Sequence, residues 1–260
     1  MDLTATPGYV AGFPLEMGVR ELGGLRAADG RVVRHGLLYR GAVLTNLTPK
    51  QRVLIDGMGL RLVFDLRSEA EAQGNADYVP EGAEYVRIAG MYDASGEEVD
   101  FSPAGIVRLN EQLDDPSQLM PTLYAGMAHN NPALHALVER FVAGKAPLYM
   151  HCTAGKDRTG VCAAMLLSLL GVPDKTIVGE FLLTNEYRAS IINNPPAKLP
   201  SWVPASDLSV WREANGVSAA NLKTLFATAD GSCFSREEYF AMEFGLDASA
   251  LETLRNRYLT

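Results

Sequence analysis

One short segment in the second half of the chain constrains both the fold and the chemistry. It reads HCTAGKDRTG and places Cys152 six residues before Arg158. A strand-like apolar run, residues 147–150, precedes it, and an apolar stretch of helical length, residues 161–170, follows. A strand, a tight turn and a helix in this order direct the turn's backbone amides and the helix N-terminus at one point, where an anion is favoured.

The residue types in this turn predict a nucleophile and an anion cradle in one place. We expect Cys152 to be a thiolate at neutral pH, because helix N-termini and nearby cations stabilise the anion. Arg158 has a planar guanidinium that matches two oxygens of a tetrahedral oxyanion. The alternatives are a cysteine that packs as a small hydrophobe and an arginine in a surface ion pair. The flanking histidine, glycines and arginine disfavour the packing role of the cysteine, and the position of Arg158 at the sixth place of the loop disfavours the surface ion pair.

The other residues of the turn are predicted to bind the anion: Thr153, Ala154, Gly155, Lys156 and Thr159. Gly155 permits tight curvature. The side chain of Lys156 either reaches a second anionic group at the rim or is solvated. Thr159 can donate its hydroxyl to the sulfur of Cys152, cap the following helix, or do both. His151 is expected to bond the backbone and hold the loop open, since a preformed thiolate needs no base.

The loop and an upstream block resemble the cysteine-dependent protein tyrosine phosphatases. The Cys-x5-Arg-Thr-Gly pattern matches the signature of that superfamily, and the full string is similar to a narrower group of bacterial atypical phosphatases. The upstream block is LGG at residues 22–24, GLLYRGA at residues 36–42 and FDLRSE at residues 64–69, in the order found in that group. The likeness covers roughly residues 17–190.

The resemblance implies an α/β fold with a tyrosine-phosphatase-like central sheet flanked by helices, and alternating strand and helix patterns favour the same class. It implies a phosphatase core over residues 1–190 and a helical extension packed on it over residues 191–260. A proline-rich stretch, residues 191–207, is a candidate lid. The implied reaction is hydrolysis of phosphotyrosine through a phosphocysteine, with phosphoinositide and phosphoserine/threonine as further candidate substrates.

Two aspartates are candidates for the proton donor to the leaving group. Common members of the superfamily use an aspartate in a Trp-Pro-Asp loop, and no such tripeptide occurs here. The resemblance to the narrower group implies that Asp157, inside the turn, is the acid. Asp93, which follows an upstream strand, is the rival. An acid must be protonated when the substrate binds, whereas the neighbours of Asp157 are the cations Lys156 and Arg158.

Two further groups have a structural and a functional interpretation. Asp65, with the nearby Arg67 and Glu69, either orients Arg158 or forms an ion-paired corner between a strand and a helix. We favour the corner, because such pairs are common and the spacing specifies no reaction. Cys162 is expected to pack in the core, and the alternative is a disulfide with Cys152.

The composition excludes other function classes. The 260 residues, 47% hydrophobic and 21% charged, suit one soluble domain with or without an appended subdomain. A net charge of −8 argues against nucleic acid. No apolar run approaches the ~18 residues of a membrane helix. Three cysteines and an N-terminus without signal-peptide features predict the cytoplasm, with unconventional secretion left open.

We expect no cofactor and no metal, since loop amides and an arginine can neutralise a phosphate, and histidine and cysteine are too sparse for a structural zinc site. The expected partner is a phosphorylated protein or a phosphoinositide; the oligomeric state is not specified. Two competing classes are a sulfurtransferase-like enzyme with a cysteine loop and a non-catalytic phosphate-binding module. The Arg-Thr-Gly ending disfavours the first, and the presence of both Cys152 and Arg158 disfavours the second.

Overall fold

Five strands form one mixed sheet. The computed structural model describes residues 3–93, 95–101, 105, 108–109, 118–200, 203, 208–231 and 233–260. The strands are β1 (Arg20–Glu21), β2 (Leu38–Gly41), β3 (Leu62–Asp65), β4 (Glu84–Arg87) and β5 (Leu148–His151). Their order in the sheet is β1-β2-β5-β3-β4, with β1 antiparallel to β2 and all other neighbours parallel. Helices flank this sheet, so the expected α/β architecture is confirmed.

The helices follow the chain in this order: α1 (Pro49–Gly57), α2 (Glu69–Ala72), α3 (Leu119–Gly126), α4 (Pro132–Val142), α5 (Asp157–Leu169), α6 (Asp174–Tyr187), α7 (Ala189–Asn193), α8 (Ser209–Asn215), α9 (Ala219–Asp230), α10 (Arg236–Phe244) and α11 (Ala248–Tyr258). Two short 3₁₀ turns, Leu3–Ala5 and Leu15–Met17, precede β1.

The strand β5 lies at the middle of the sheet. All four residues of β5 and of β3 are buried, as expected for parallel strands covered on both faces. In the register of the sheet, His151 at the end of β5 lies between Gly41 of β2 and Asp65 of β3. The carboxyl ends of three parallel strands therefore meet at one edge, where α/β proteins commonly bind ligands. The Cys-x5-Arg loop leaves the sheet at this edge.

The helix α5 carries the end of this loop into the core. Its residues from Arg158 to Leu169 are all buried. This confirms the core helix predicted over residues 161–170, with its start four residues earlier than expected, at Asp157. Gly171, with φ of 76°, terminates the helical segment.

Two local predictions are confirmed and one is wrong. The sequence patterns Thr48-x-x-Gln51 and Ser68-x-x-Glu71 predict capping boxes, and both boxes are formed and start α1 and α2. The strand-like stretch of residues 31–33 predicts an early strand, and this prediction is wrong. Its residues make isolated bridges instead, Val33 with Leu259 among them, because this segment pairs with the end of the chain rather than with the sheet.

The C-terminal helices share a hydrophobic core with the sheet. Leu222 of α9, Phe240 of α10 and Leu254 of α11 belong to the same buried cluster as Leu148 of β5 and Leu166 of α5. Burial of such side chains is the main favourable term in folding. Helices close to the C-terminus therefore contribute to the same core as the strand that precedes the loop.

Two expectations about this part of the chain stay predictions. One is the division into a core and an extension at residue 190. The other is a lid within residues 191–207, of which residues 201–202 and 204–207 lie outside the described part. Among the described helices, none combines the length and the apolar character needed to cross a membrane.

Candidate active site

The loop of residues 152–158 packs directly against the end of β2. Cys152 is the first residue after β5, and only 2% of its surface is exposed. Gly155 has φ of +67°, and a Cβ at this position would lie 2.2 Å from the carbonyl oxygen of Gly41. Only glycine fits this conformation and this close approach. The glycine of the motif thus lets the loop curve tightly over its neighbouring strand.

Groups outside the loop bind its carbonyl oxygens. The ring Nδ1 of His151 donates to the carbonyl of Cys152 at 3.2 Å, as expected for a histidine that bonds the backbone. The amide of Val43 donates to the carbonyl of Thr153 at 3.3 Å. Two further carbonyls, those of Gly155 and Lys156, accept hydrogen bonds from a buried arginine, Arg40.

The amide groups of the loop have no such partners. Within the described part of the chain, no acceptor lies against the backbone N–H groups of Thr153, Ala154, Gly155 and Lys156. The two ends of a peptide unit point in opposite directions, so an outward carbonyl implies an inward N–H on the next residue. Together with the N-terminus of α5, these amides have the polarity of an anion cradle.

The guanidinium of Arg158 is fixed at the end of the loop. Its Nη1 donates to Glu71 Oε2 at 2.6 Å and to the carbonyl of Leu66 at 3.2 Å, and its Nη2 donates to Glu71 Oε1 at 2.8 Å. The ring of Phe101 lies 4.8 Å from the guanidinium carbon, a cation–π distance. Burial opposes the charge, but the thiol group of Cys152 and the Glu71 carboxylate raise the pKa of Arg158. The arginine is therefore a fixed cation.

Glu71 is a site residue that the sequence analysis missed. Besides Arg158, its carboxylate accepts a hydrogen bond from the hydroxyl of Thr153 at 2.6 Å, so it joins the two ends of the loop. Burial alone would raise the pKa of Glu71, but the hydrogen bonds and charge of Arg158 lower it to about 2. The sequence signal at Glu71 was a capping box with Ser68, which indicates a helix start and says nothing about a partner in the loop.

Lys156 and Asp157 form an ion pair with each other, and each also bonds to a group outside the loop. The Nζ of Lys156 lies 2.9 Å from Asp157 Oδ2 and donates to the carbonyl of Gly216 at 3.1 Å. The hydroxyl of Tyr124, which is fully buried, donates to Asp157 Oδ1 at 2.9 Å. Two donors thus fix the carboxylate of Asp157 at the start of α5.

The rival aspartate, Asp93, is exposed and bonded within its own turn. Its Oδ1 accepts hydrogen bonds from the hydroxyl and amide of Ser95, at 2.6 and 2.8 Å, and from the amide of Glu97 at 3.0 Å. The hydrogen bond from the Ser95 hydroxyl, followed by those from backbone amides, lowers the pKa of Asp93. This carboxylate is therefore held ionised by its own loop.

The structure corrects the expected roles of Thr159 and supports the expected role of Cys162. The hydroxyl of Thr159 is buried and has no hydrogen-bond partner in the part of the chain that is described, so the expected bond to Cys152 is not formed. The capping role is also wrong, because α5 begins at Asp157 and Thr159 is already its third residue. Cys162 is fully buried, and burial raises its pKa, which supports the packing role.

Asp65 forms the corner that we favoured and bonds to Arg67 at 2.8 Å. Asp77 also binds Arg67, and the ring nitrogens of His151 lie 3.7 Å from Asp65 and 3.6 Å from Asp77. These two aspartates and the histidine have the donor types of a metal site, with ligand atoms within 4.8 Å of one another. The guanidinium of Arg67 already bridges the two carboxylates and offsets one of their two negative charges.

The whole arrangement matches one class of proteins. A parallel strand ends in a cysteine loop with an amide cradle, and an arginine on the following helix closes the loop. The model of the tyrosine phosphatase family matches residues 17–260. The chain therefore belongs to the tyrosine phosphatase family, and the family resemblance seen in the sequence is confirmed.

Curated relatives carry names from the same family. A protein of Cupriavidus necator, provisionally named a tyrosine-protein phosphatase, is 30% identical over 192 residues, which are 69% of this chain and 64% of that protein. The triple specificity protein phosphatase PtpB of Mycobacterium tuberculosis is 29% identical over 196 residues, 65% of this chain and 70% of the relative. A tyrosine-protein phosphatase of Nostoc commune is 30% identical over 151 residues, 57% of this chain and 48% of the relative. The chain thus spans less than two thirds of the Cupriavidus and Nostoc proteins.

Proposed function

We propose that this protein hydrolyses phosphotyrosine monoesters through a phosphocysteine intermediate, without a metal. One observation carries the proposal: four carbonyls between Cys152 and Arg158 are bound by groups outside the loop, which turns the amides that share their peptide units toward its inner side. Membership in the tyrosine phosphatase family supports the same class of reaction. The amides and the guanidinium supply the positive field that a phosphate dianion requires.

In the first step, the thiolate of Cys152 attacks phosphorus. The S–P bond forms as the bond from phosphorus to the tyrosine oxygen breaks. The planar guanidinium of Arg158 binds two of the equatorial oxygens, where charge is spread in the transition state. The leaving oxygen takes a proton from the general acid and departs as the tyrosine hydroxyl.

In the second step, water attacks phosphorus and the S–P bond breaks. The water gives a proton to the residue that had acted as acid, and the sulfur of Cys152 leaves again as a thiolate. Inorganic phosphate is released and the enzyme returns to its starting protonation state. The Arg158 guanidinium is held by Glu71 through both steps, so no reorganisation of the arginine is required.

We assign the acid to Asp157. Its carboxylate lies inside the loop and is fixed by Tyr124 and Lys156, which supports a defined position for proton transfer. Asp93 has its carboxylate committed to its own turn, and this argues against the alternative assignment.

The substrate range is proposed from Lys156 and from one relative. The name of the Mycobacterium protein attributes triple specificity to it. Here Lys156 could exchange the carbonyl of Gly216 for a second phosphate or an acidic side chain. We therefore propose phosphoserine/threonine and phosphoinositides as further substrates, and the test is a panel of phosphotyrosine peptides, phosphoserine peptides and mono- and polyphosphoinositides. If Lys156→Met lowers hydrolysis equally for all of them, Lys156 does not select substrates.

The reaction itself is tested by hydrolysis of p-nitrophenyl phosphate in the presence of EDTA. Turnover is expected in the wild type and is expected to vanish in Cys152→Ser. Cys233→Ser is the matched control, because this half-exposed cysteine lies far along the chain in the turn before α10. Acid quenching followed by mass spectrometry should find phosphate on Cys152. Turnover that persists in Cys152→Ser would refute the mechanism, and turnover of thiosulfate to thiocyanate would favour the sulfurtransferase alternative.

A further inference from the structure

Two buried arginines face each other behind the loop. Arg20 of β1 and Arg40 of β2 are cross-strand partners, and they are only 2% and 0% exposed. Like charges at such positions repel. Glu180 of α6 lies between them and accepts a hydrogen bond from Arg20 at 2.7 Å and from Arg40 at 2.8 Å. The two guanidinium groups share one carboxylate, so the cluster of Arg20, Arg40 and Glu180 has a net charge of +1.

Of these two arginines, Arg40 reaches the loop. Its Nη2 donates to the carbonyl of Gly155 at 3.0 Å and to the carbonyl of Lys156 at 3.3 Å. The remaining side-chain bonds of Arg20 go elsewhere, to the carbonyls of Gly18 and Glu180 and to the hydroxyl of Thr184. Burial lowers the pKa of Arg40 to about 10, so it is still protonated at neutral pH.

The two bonded carbonyls determine which amides turn inward. The carbonyl of Gly155 shares a peptide unit with the N–H of Lys156, and the carbonyl of Lys156 shares one with the N–H of Asp157. A donor on the outer side of both units therefore directs both N–H groups toward the inside of the loop. The carbonyl of Lys156 also accepts the first hydrogen bond of α5, from the amide of Gly160 at 2.9 Å. The carbonyl of Gly155 has no donor besides Arg40 within the described part of the chain.

We propose that Arg40 is a positioning residue for the anion cradle: by holding the carbonyl of Gly155 it turns the amide of Lys156 toward the bound phosphate, and the net positive charge of the arginine pair favours anions in the loop. The inference rests on the proposed function, since it assumes that the loop binds a phosphate. Arg40 touches neither substrate nor the reacting atoms and acts through the loop backbone.

Several charged or titratable groups besides Arg40 lie within electrostatic reach of the Cys152 sulfur. They are Arg158, Arg188, Tyr124, Tyr149 and Cys162. None of them donates a hydrogen bond to a carbonyl of Gly155 or Lys156 in the described part of the chain. The positioning effect at the carbonyl of Gly155 is therefore specific to Arg40, whereas a change in charge alone could come from any of these groups.

The test compares Arg40→Lys with Arg20→Lys. Both variants keep a cation beside Glu180, but a lysine at position 40 has no planar fork to bind Glu180 and two carbonyls together. Inorganic phosphate as a competitive inhibitor of p-nitrophenyl phosphate hydrolysis is the probe. We expect inhibition about tenfold weaker in Arg40→Lys, the effect of losing a charged hydrogen bond, and within twofold of wild type in Arg20→Lys. Unchanged inhibition in Arg40→Lys, or equal weakening in both variants, would overturn the inference.

Glu180→Gln tests the effect of the net charge of the arginine pair on the loop. It also keeps the inference testable if Arg40→Lys fails to fold. This variant keeps the size of the acceptor and removes the negative charge that balances the arginine pair. Alkylation of Cys152 by iodoacetamide below pH 7, followed by peptide mass mapping, is expected to become several-fold faster. Alkylation at the wild-type rate or slower would overturn the inference. Failure of the proposed function has a different signature, namely turnover that survives Cys152→Ser.

Discussion

The carboxylate of Glu71 and the guanidinium of Arg158 form a bidentate ion pair, with N···O distances of 2.6 and 2.8 Å. Both side chains are almost fully buried. Bidentate pairs of this kind fix the plane of the arginine as well as its position. The plane that would receive two phosphate oxygens is therefore set before any ligand arrives.

Replacement of Glu71 by glutamine is expected to lower kcat/KM for p-nitrophenyl phosphate by roughly 10²-fold. The neutral amide cannot hold Arg158 and Thr153 together, and a misplacement of about 1 Å in an active site has a cost of this size. Glu69→Gln is the matched control, because Glu69 is exposed and pairs with Arg87 instead. Equal kinetics in the two variants would show that the ion pair does not position Arg158.

The same pair is expected to make stability depend on pH. The pKa of Glu71 is lowered from 4.5 to about 2, against burial, by Arg158. A lowered pKa stabilises the fold where the unfolded carboxyl is ionised, so the contribution is complete above about pH 4.5 and is lost as the pH falls toward 2. It is on the order of 3 kcal/mol. Urea unfolding from pH 5 to pH 2.5 should show a steeper loss of stability in the wild type than in Glu71→Gln, and parallel curves would contradict this.

Gly155→Ala is expected to abolish phosphate binding and to destabilise the fold. A methyl group there would meet the carbonyl oxygen of Gly41 at 2.2 Å, and neither backbone can move without opening the loop. Gly245 is the matched control: its φ of +68° equals that of Gly155 within a degree, and no atom lies within 4 Å of an added Cβ. Gly245→Ala should cost only about 1–2 kcal/mol of left-handed strain. Similar melting temperatures for the two variants would contradict the close contact.

Asp157→Asn is expected to slow the hydrolysis of substrates with poor leaving groups far more than that of p-nitrophenyl phosphate. A general acid contributes about 10²–10⁴-fold where the leaving oxygen needs a proton. Tyr124→Phe, which removes one hydrogen bond to the carboxylate, should give a smaller loss in the same direction. The check is a series of aryl phosphates of increasing leaving-group pKa. A steeper dependence in Asp93→Asn than in Asp157→Asn would move the acid to Asp93.

Local patterns predicted the parts of the fold and site that are contiguous in sequence. Thr48 and Ser68 start helices because each bonds a residue three positions later, and the loop of Cys152 is a continuous turn. The predicted capping role of Thr159 is wrong because α5 starts two residues earlier, at Asp157. Glu71 and Arg40 could not be found, because they meet the loop across 87 and 115 residues of chain. Such partners are set by the order of the strands, which no short motif specifies.

The central place of β5 between β2 and β3 makes the ten-residue motif dependent on its context. Its supports come from two separate chain segments that are synthesised long before it: the end of β2, with Arg40 and Gly41, and the turn into α2, with Leu66 and Glu71. A graft of the motif alone onto another strand and helix would reproduce the cysteine and the arginine but not the direction of the peptide groups. A homologue that retained the motif and lost both Arg40 and Glu71 would accordingly be a candidate for an inactive member of the family.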